Sequence, residues 1–166
     1  MSRPQPQLTP VDADLFRRAC SQFATGLAVA TVRAADGAPH GLTVNSFTSV
    51  SLEPPLVLIC IDEKSQEIDH FRHAAFFALN ILAAGQQSLC EAFARRVENR
   101  FEDQPWQEGE TGAPLIPNVL ATMECRVVDV LTLGDHSVLL GEMVAASVTD
   151  GAPLLYFRGC ARTPAL

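Results

Sequence analysis

The chain reads as a mainly β protein with inserted helices, best arranged as an antiparallel barrel. Three observations predict that class. Apolar runs with high β content recur at Leu27–Arg33, Leu56–Ile61 and Phe76–Leu82, each short enough for a strand rather than a helix. Two longer runs of the same kind, Val119–Leu131 and His136–Val148, lie on either side of Gly134–Asp135, a turn dipeptide. Helical periodicity is confined to a few stretches, which falls short of the regular β–α alternation of a parallel sheet. The phosphate-cradling patterns GxGxxG and GxxxxGKS/T are also missing.

Taken in order, Ser2–Leu8 is a Pro- and Gln-rich leader, and residues 1–9 are expected to be flexible. Thr9 is placed as an N-cap with Pro10 at the first helical position, and Asp12 and Asp14 suit the dipole of the first turn. Val11, Leu15, Ala19 and Phe23 recur every four residues. That spacing predicts a helix with one apolar face on the core, ended by Gly26. Leu27–Arg33 then leads through Ala35–Asp36–Gly37–Ala38 into a hairpin. His40–Ser51 is the second strand and Leu56–Ile61 the third, parted by Glu53–Pro54–Pro55, where proline removes donors and restricts its predecessor. Unbroken apolarity predicts burial of Leu56–Ile61 on both faces.

Lys64–Ala74 follows as a short helix with Ile68 and Phe71 inward, then the strand Phe76–Leu82 with a break at Gly85. Gln86–Val97 is helical by pattern, with Leu89, Phe93 and Val97 on one side and Arg95 and Arg96 near its end, where the dipole favours cations. Asn99–Pro117 is irregular, and its length marks a functional or interface loop. Val119–Leu131, His136–Val148 and Leu154–Phe157 complete the strands. The domain is expected to span 10–160, with 161–166 as a tail.

A length of 166 residues, 48% hydrophobic and 19% charged, fits one globular domain. The net charge of −7 argues against nucleic acid or an anionic membrane as the main partner. No apolar run is long enough to span a bilayer, and the first ten residues lack the apolar core of a signal peptide. The five widely spaced cysteines suit buried free thiols in a reducing compartment, so a cytoplasmic location is expected. No His/Cys/Asp group has metal-ligand spacing along the chain, and no metal is expected.

The chemistry concentrates in Gly41–Asp62. Thr43, Asn45, Ser46, Thr48, Ser49 and Ser51 fall between two apolar flanks. Their hydroxyl and amide groups either satisfy one another in a turn or face a ligand. Gly134–Asp135–His136 is turn chemistry with a histidine at a strand mouth, or else a donor aimed at a bound anion or amide and oriented by Asp135. Phe93, Ala94, Arg95, Arg96, Arg100 and Phe101 combine aromatics able to face a planar ring with arginines able to pair with phosphate; for any one of them a core Phe or a solvated Arg is the commoner role. Neither a GxSxG elbow nor a local Cys/His signature is present.

Set in order, these segments go further. FATGLAVAT (Phe23–Thr31), GLTVNSFTSVSLEPPLVLICID (Gly41–Asp62), FALNIL (Phe77–Leu82), Phe93–Ala94 and Arg100–Phe101 are followed by Trp106, Gly109, Gly112, Pro114 and Ile116. GDH (Gly134–His136), GEMV (Gly141–Val144) and PLLYFRG (Pro153–Gly159) close the series. This succession resembles the flavin reductase-like family, FMN-binding split barrels that include the reductase components of two-component flavin monooxygenases. The resemblance runs from about Leu15 to Gly159.

The resemblance implies a homodimer of six-stranded antiparallel Greek-key barrels. It also implies NAD(P)H-dependent reduction of FMN or FAD, with reduced flavin passed to a partner monooxygenase. Thr43, Val44, Asn45, Ser46 and Ser49 would line the flavin ring and ribityl chain. Asp62, Lys64, Ser65 and Gln66 would surround the phosphate, with Phe93, Ala94 and Arg100 bordering the site, Arg100 standing where lysine is frequent. His136 matches the histidine associated with the nicotinamide nucleotide, NADH or NADPH. Two departures stand out: Glu67 occupies a position where a small hydroxyl residue is common, and Cys160–Leu166 lacks an aromatic. They leave FMN and FAD both open. The flavin carries the difficult chemistry in such a site and the protein supplies orientation, so no catalytic side chain is obligatory. The rival readings are a split barrel that holds FMN for electron transfer or sensing, and an oxidase of another substrate on the same barrel.

Overall fold

The computed structural model describes residues 9–95, 97 and 100–164. The leader 1–8, Arg96, Glu98, Asn99 and the last two residues of the tail lie outside the described residues, and with them the expectations made there. The elements in chain order are α1 (Ala13–Cys20), β1 (Thr25–Gly26), β2 (Ala28–Arg33), β3 (Pro39–Val44), β4 (Thr48–Ser51) and β5 (Leu56–Asp62). Then come α2 (Ile68–His73), β6 (Phe76–Ile81), α3 (Gln87–Ala94), β7 (Gln107–Glu108) and β8 (Pro114–Leu115). β9 (Ala121–Leu133), β10 (His136–Val148), β11 (Leu155–Phe157) and β12 (Cys160–Arg162) end the chain.

The fold is mainly β, as expected, but the main sheet has seven strands, not six, in the order β3-β2-β6-β9-β10-β5-β4. The extra strand arises because the expected strand His40–Ser51 is two strands. β3 pairs with β2 and β4 pairs with β5, with Asn45–Phe47 as the link. Every pairing is antiparallel. The long hairpin β9–β10 is joined by Gly134–Asp135, with Gly134 at φ +65° and His136 opposite Leu133. Positive φ at the first turn position matches the right-handed twist of a hairpin. Arg158 and Gly159, at φ +50° and +80°, make the same kind of tight reversal between β11 and β12. Ala161 and Arg162, expected as tail, are therefore paired strand.

Apolar side chains form two cores. One lies inside the main sheet and gathers Val32, Ile59, Ile61, Phe71, Phe77 and Leu139. The second packs Val29 and Leu82 against Phe93, Phe101, Ile116 and Leu154. β2 serves both, so it is β2 that is buried on both faces. β5 instead alternates: Val57, Ile59 and Ile61 are buried while Cys60 is only partly covered. Gly141 on β10 lets the strands close on Phe77, since a Cβ there would sit 2.5 Å from the Phe77 ring.

Three other expectations are corrected. α1 starts one turn later, capped by Asp12, whose carboxylate accepts from Leu15 N at 2.7 Å. It buries no residue, and Phe23 is 78% exposed. Second, the loop after α3 is not wholly irregular. Phe101, Trp106 and Ile116 join the second core, β7 pairs with β8, and Asn80 Oδ1 accepts from Ile116 N at 2.8 Å. Third, the free cysteines divide: Cys90 and Cys125 are buried, Cys60 is partly so, and Cys20 and Cys160 are exposed. Val97 is likewise exposed, because α3 ends at Ala94. Among the described residues no helix is long and apolar enough to cross a membrane.

Candidate functional site

A cavity of about 750 Å³ opens beside the ends of β3 and β5. That size suits a cofactor-scale ligand. Its walls take Thr43, Val44, Asn45 and Ser46 from the end of β3 and the link after it, Asp62, Ser65 and Gln66 from the end of β5 and the turn after it, Phe93, Ala94 and Arg100 from α3 and beyond, and His136 from β10. All the residues expected from sequence are therefore brought together except two. Ser49 faces solvent on β4, and Lys64 is exposed at the turn; neither lines the cavity.

Local bonding explains how these side chains are held. Ser46 Oγ donates to Cys60 O and accepts from Cys60 N, both at 2.9 Å. That hydroxyl ties the β3–β4 link to β5. Thr43 Oγ1 donates to Cys90 O at 2.7 Å, anchoring β3 to α3. Both hydroxyl donors are thus satisfied inside the protein, leaving their methylene and methyl surfaces and nearby backbone groups for a ligand. Asp62 Oδ1 accepts from Lys64 N at 2.8 Å, and Asp62 lies opposite His136 in the β5–β10 register. His136 Nδ1 donates to Asp135 Oδ1 at 2.8 Å, which holds the ring and leaves Nε2 for a ligand. The hydrogen bond from His136, then its charge, pulls the Asp135 carboxyl below its ordinary range.

Sequence reasoning missed part of the wall. Leu27, Leu42 and Ile61 supply apolar surface, and Tyr156 and Cys160 enter from β11 and β12. Tyr156 was visible within the PLLYFRG segment, but its approach depends on the pairing of β11 with β1. Cys60 and Cys90 also line the cavity, and burial pushes both thiols up, away from the nucleophilic thiolate.

Behind the wall, His40, Glu67 and His70 meet with one ligand atom each within 4.8 Å. Their positions along the chain gave no hint of it. The His40 and His70 rings stack at 3.5 Å and 22°, so their in-plane lone pairs run side by side instead of converging. Glu67 already pairs through Oε1 with Arg100 at 2.8 Å and through Oε2 with His40 at 3.0 Å. That geometry suits an ion-pair network better than a metal centre.

Residues 20–164 match the family described as flavin reductase like domain. The chain belongs to that family. It is 41% identical to the FMN reductase (NADH) SmoA of Agrobacterium fabrum, over 87% of this chain and 82% of that protein. It is 40% identical to a probable flavin reductase of Rhizobium meliloti, over 93% of this chain but 50% of that one. The chain thus spans about half the length of the first curated relatives it matches. The NADH:FAD oxidoreductase SgcE6 of Streptomyces globisporus, solved with NAD and FAD fragments, superposes with a TM-score of 0.86 at 36% identity, covering 95% of this chain and 96% of that one. Within a flavin reductase-like domain, the cavity is the natural place to seek a flavin.

Proposed function

We propose that this flavin reductase-like domain is an NAD(P)H:flavin oxidoreductase that passes a hydride from nicotinamide to FMN or FAD and supplies reduced flavin to a partner monooxygenase. One observation carries the reading: the cavity gathers an apolar floor, a polar strand end and a histidine mouth from residues far apart in sequence. A tricyclic flavin needs apolar contact on its faces and donors along its rim, and this wall offers both. Leu42, Val44 and Phe93 would face the ring, Asn45 and backbone N–H groups would meet its edge, and Ser65, Gln66 and Arg100 would meet the tail. When bound, the flavin supplies the redox chemistry, and the protein's part is to orient and to exclude water. The names of the relatives, FMN reductase (NADH) and NADH:FAD oxidoreductase, support the same pairing of substrates. Several other relatives are named as reductase components of monooxygenases, which supports the partner.

The curl of the seven strands into a split barrel belongs to this proposal. It is supported by the Ser46 tie to β5 and by a core that collects inner faces from β2, β5, β6 and β10. A homodimer does too. Val11 just before α1 and Leu15 and Phe16 on it are exposed, and β9 leaves Val128, Leu131 and Leu133 uncovered; such apolar surface calls for a partner. Five unpaired cysteines support a cytoplasmic setting.

The test mixes the purified protein anaerobically with FMN or FAD and then with NADH or NADPH. Loss of nicotinamide absorbance together with flavin bleaching is expected. Flavin binding without reduction would favour the non-catalytic electron-transfer or sensing alternative. Sedimentation at micromolar concentration should give twice the chain mass.

A further inference from the structure

His136 sits at the tip of the β9–β10 hairpin, in the open. Its side chain is 44% exposed, and that of Asp135, which bonds its Nδ1, is 88% exposed. A single bond so open to water fixes a ring poorly. Beyond the strand ladder, a second attachment of the hairpin tip passes through Glu63, the residue that follows β5. Glu63 N donates to Asp135 O at 3.0 Å. Ser137 Oγ donates to Glu63 Oε1 at 2.6 Å. One residue thus bonds both chain neighbours of His136, by its main chain on one side and its carboxylate on the other.

The side-chain half of this clasp is braced. Arg72 of α2 pairs through Nη2 with Glu63 Oε2, donates from the same atom to Ser137 Oγ at 3.2 Å, and pairs through Nη1 with Asp69 at 3.3 Å. Ser137 is fully buried. Successive strand residues point to opposite faces, so Ser137 reaches back to Glu63 and Arg72 while His136 lines the cavity. Glu63, Arg72 and Ser137 themselves are off the cavity wall. Charge-assisted bonds of this kind hold side chains in one geometry, and here the geometry they hold is that of the backbone carrying His136. Placement of that ring matters, since a shift of about 1 Å at a positioning group can cost about a hundredfold in rate.

We infer that Glu63 is a positioning residue for the nicotinamide nucleotide: clasped to Asp135 and Ser137 and braced by Arg72, it fixes His136 at the cavity mouth. The inference rests on the reading of His136 as the nucleotide contact. Glu63 acts only through His136.

Stopped-flow reduction of flavin by the full chain, over a range of NADH concentrations, tests this in a two-residue cycle. Glu63→Ala keeps the backbone bond and removes the side-chain one. It should lower kcat/KM for NADH by about tenfold, chiefly through KM, with flavin affinity near wild type. Glu63→Gln keeps an acceptor for Ser137 and should lose about threefold or less. In a His136→Asn background, Glu63→Ala should cost nothing more, because residues that act as one unit do not add. A merely structural Glu63 predicts lower stability with unchanged kinetics in the folded fraction, or an equal loss in both backgrounds. Either result overturns the inference. So does a matching fall in flavin affinity, which would make Glu63 a support of the 65–66 turn instead. If Glu63→Ala does not fold, Ser137→Ala removes the same bond from its other end, and its loss must likewise vanish in the His136→Asn background. Should His136→Asn itself leave NADH kinetics unchanged, the reading of His136 fails and this inference falls with it. Should His136→Asn lower kcat/KM and Glu63→Ala leave it intact, the clasp alone is wrong.

Discussion

Glu124 on β9 and Glu67 in the turn before α2 are buried to nearly the same extent, 4% and 5% exposed. Their surroundings differ. Glu124 faces neutral donors from one loop: Glu110 N at 3.1 Å, Thr111 N at 2.7 Å and Thr111 Oγ1 at 2.6 Å. Glu67 faces Arg100 and His40. A buried carboxylate needs compensation, and either kind suffices. Neutral donors spend the charge on holding backbone in place. The Arg100 guanidinium instead cancels it. The first region is therefore a fastening and the second an ion pair.

The largest effect should come from breaking the fastening. Glu124→Ala leaves two part-buried backbone donors and a hydroxyl facing an empty space that Gly109 cannot fill. Hydrogen bonds to charged groups contribute about 1.5–3 kcal/mol each and do not add fully. A loss of about 3 kcal/mol is expected in urea denaturation. The folded fraction should keep its flavin affinity, because Glu124 is off the cavity wall. If the Glu124 variant lost flavin affinity and stayed stable, it would not be the fastening assigned to it.

The sequence made some of this legible and not the rest, for reasons of range. The β9–β10 hairpin was readable because Gly134–Asp135 encodes its own backbone conformation locally. Phe71 and Ile68 were readable because helical spacing places both on one side. The face of α1 was misread because periodicity reports an apolar stripe and says nothing of what covers it. The split of His40–Ser51 was hidden for a related reason: the Ser46 hydroxyl bonds the backbone of Cys60, a partner fourteen residues on. Phe101 and Trp106 looked like loop residues because the packing of Phe101 on Phe93, and of Trp106 on Phe101, depends on how α3 docks. The site was legible through resemblance, as a set of residues converging on one cavity. The ion pair beneath it was not. Glu67 showed only as a departure from the family pattern, and nothing in the spacing of positions 40, 67, 70 and 100 joins them before the chain is folded.

A middle-sized effect is expected at the cavity mouth, where a third charge balance operates in the open. His136 is 44% exposed and bonded to Asp135. If Nε2 meets the nicotinamide nucleotide, His136→Asn should lower kcat/KM for NAD(P)H by roughly ten- to hundredfold, the worth of one hydrogen bond to a charged group. Flavin affinity should stay near wild type. Stopped-flow reduction over a range of NADH concentrations reads this directly, and superimposable saturation curves would remove His136 from the site. The result sharpens the contrast with Glu124, since it predicts a change in nucleotide kinetics where Glu124 predicts a change in stability.

The smallest effect concerns a carboxylate between the two extremes. Glu63 is partly exposed, accepts from Ser137 Oγ at 2.6 Å and pairs with Arg72. The Ser137 hydroxyl first, and then the Arg72 hydrogen bond, hold its carboxyl below the ordinary glutamate range. A carboxyl whose pKa is lower folded than unfolded binds fewer protons in the native state. Its contribution to stability is therefore present above the unfolded value, about 4.3, and is lost as pH falls through the folded one. Glu63→Gln should lower the melting temperature modestly near neutrality, and the gap between variant and wild type should close on acidification below about pH 4. Asp135, also depressed, titrates in the same acid range but is common to both proteins and drops out of the difference. A gap that stayed constant with pH would mean that Glu63 acts through packing, like a neutral side chain, and that its charge does not matter to the fold.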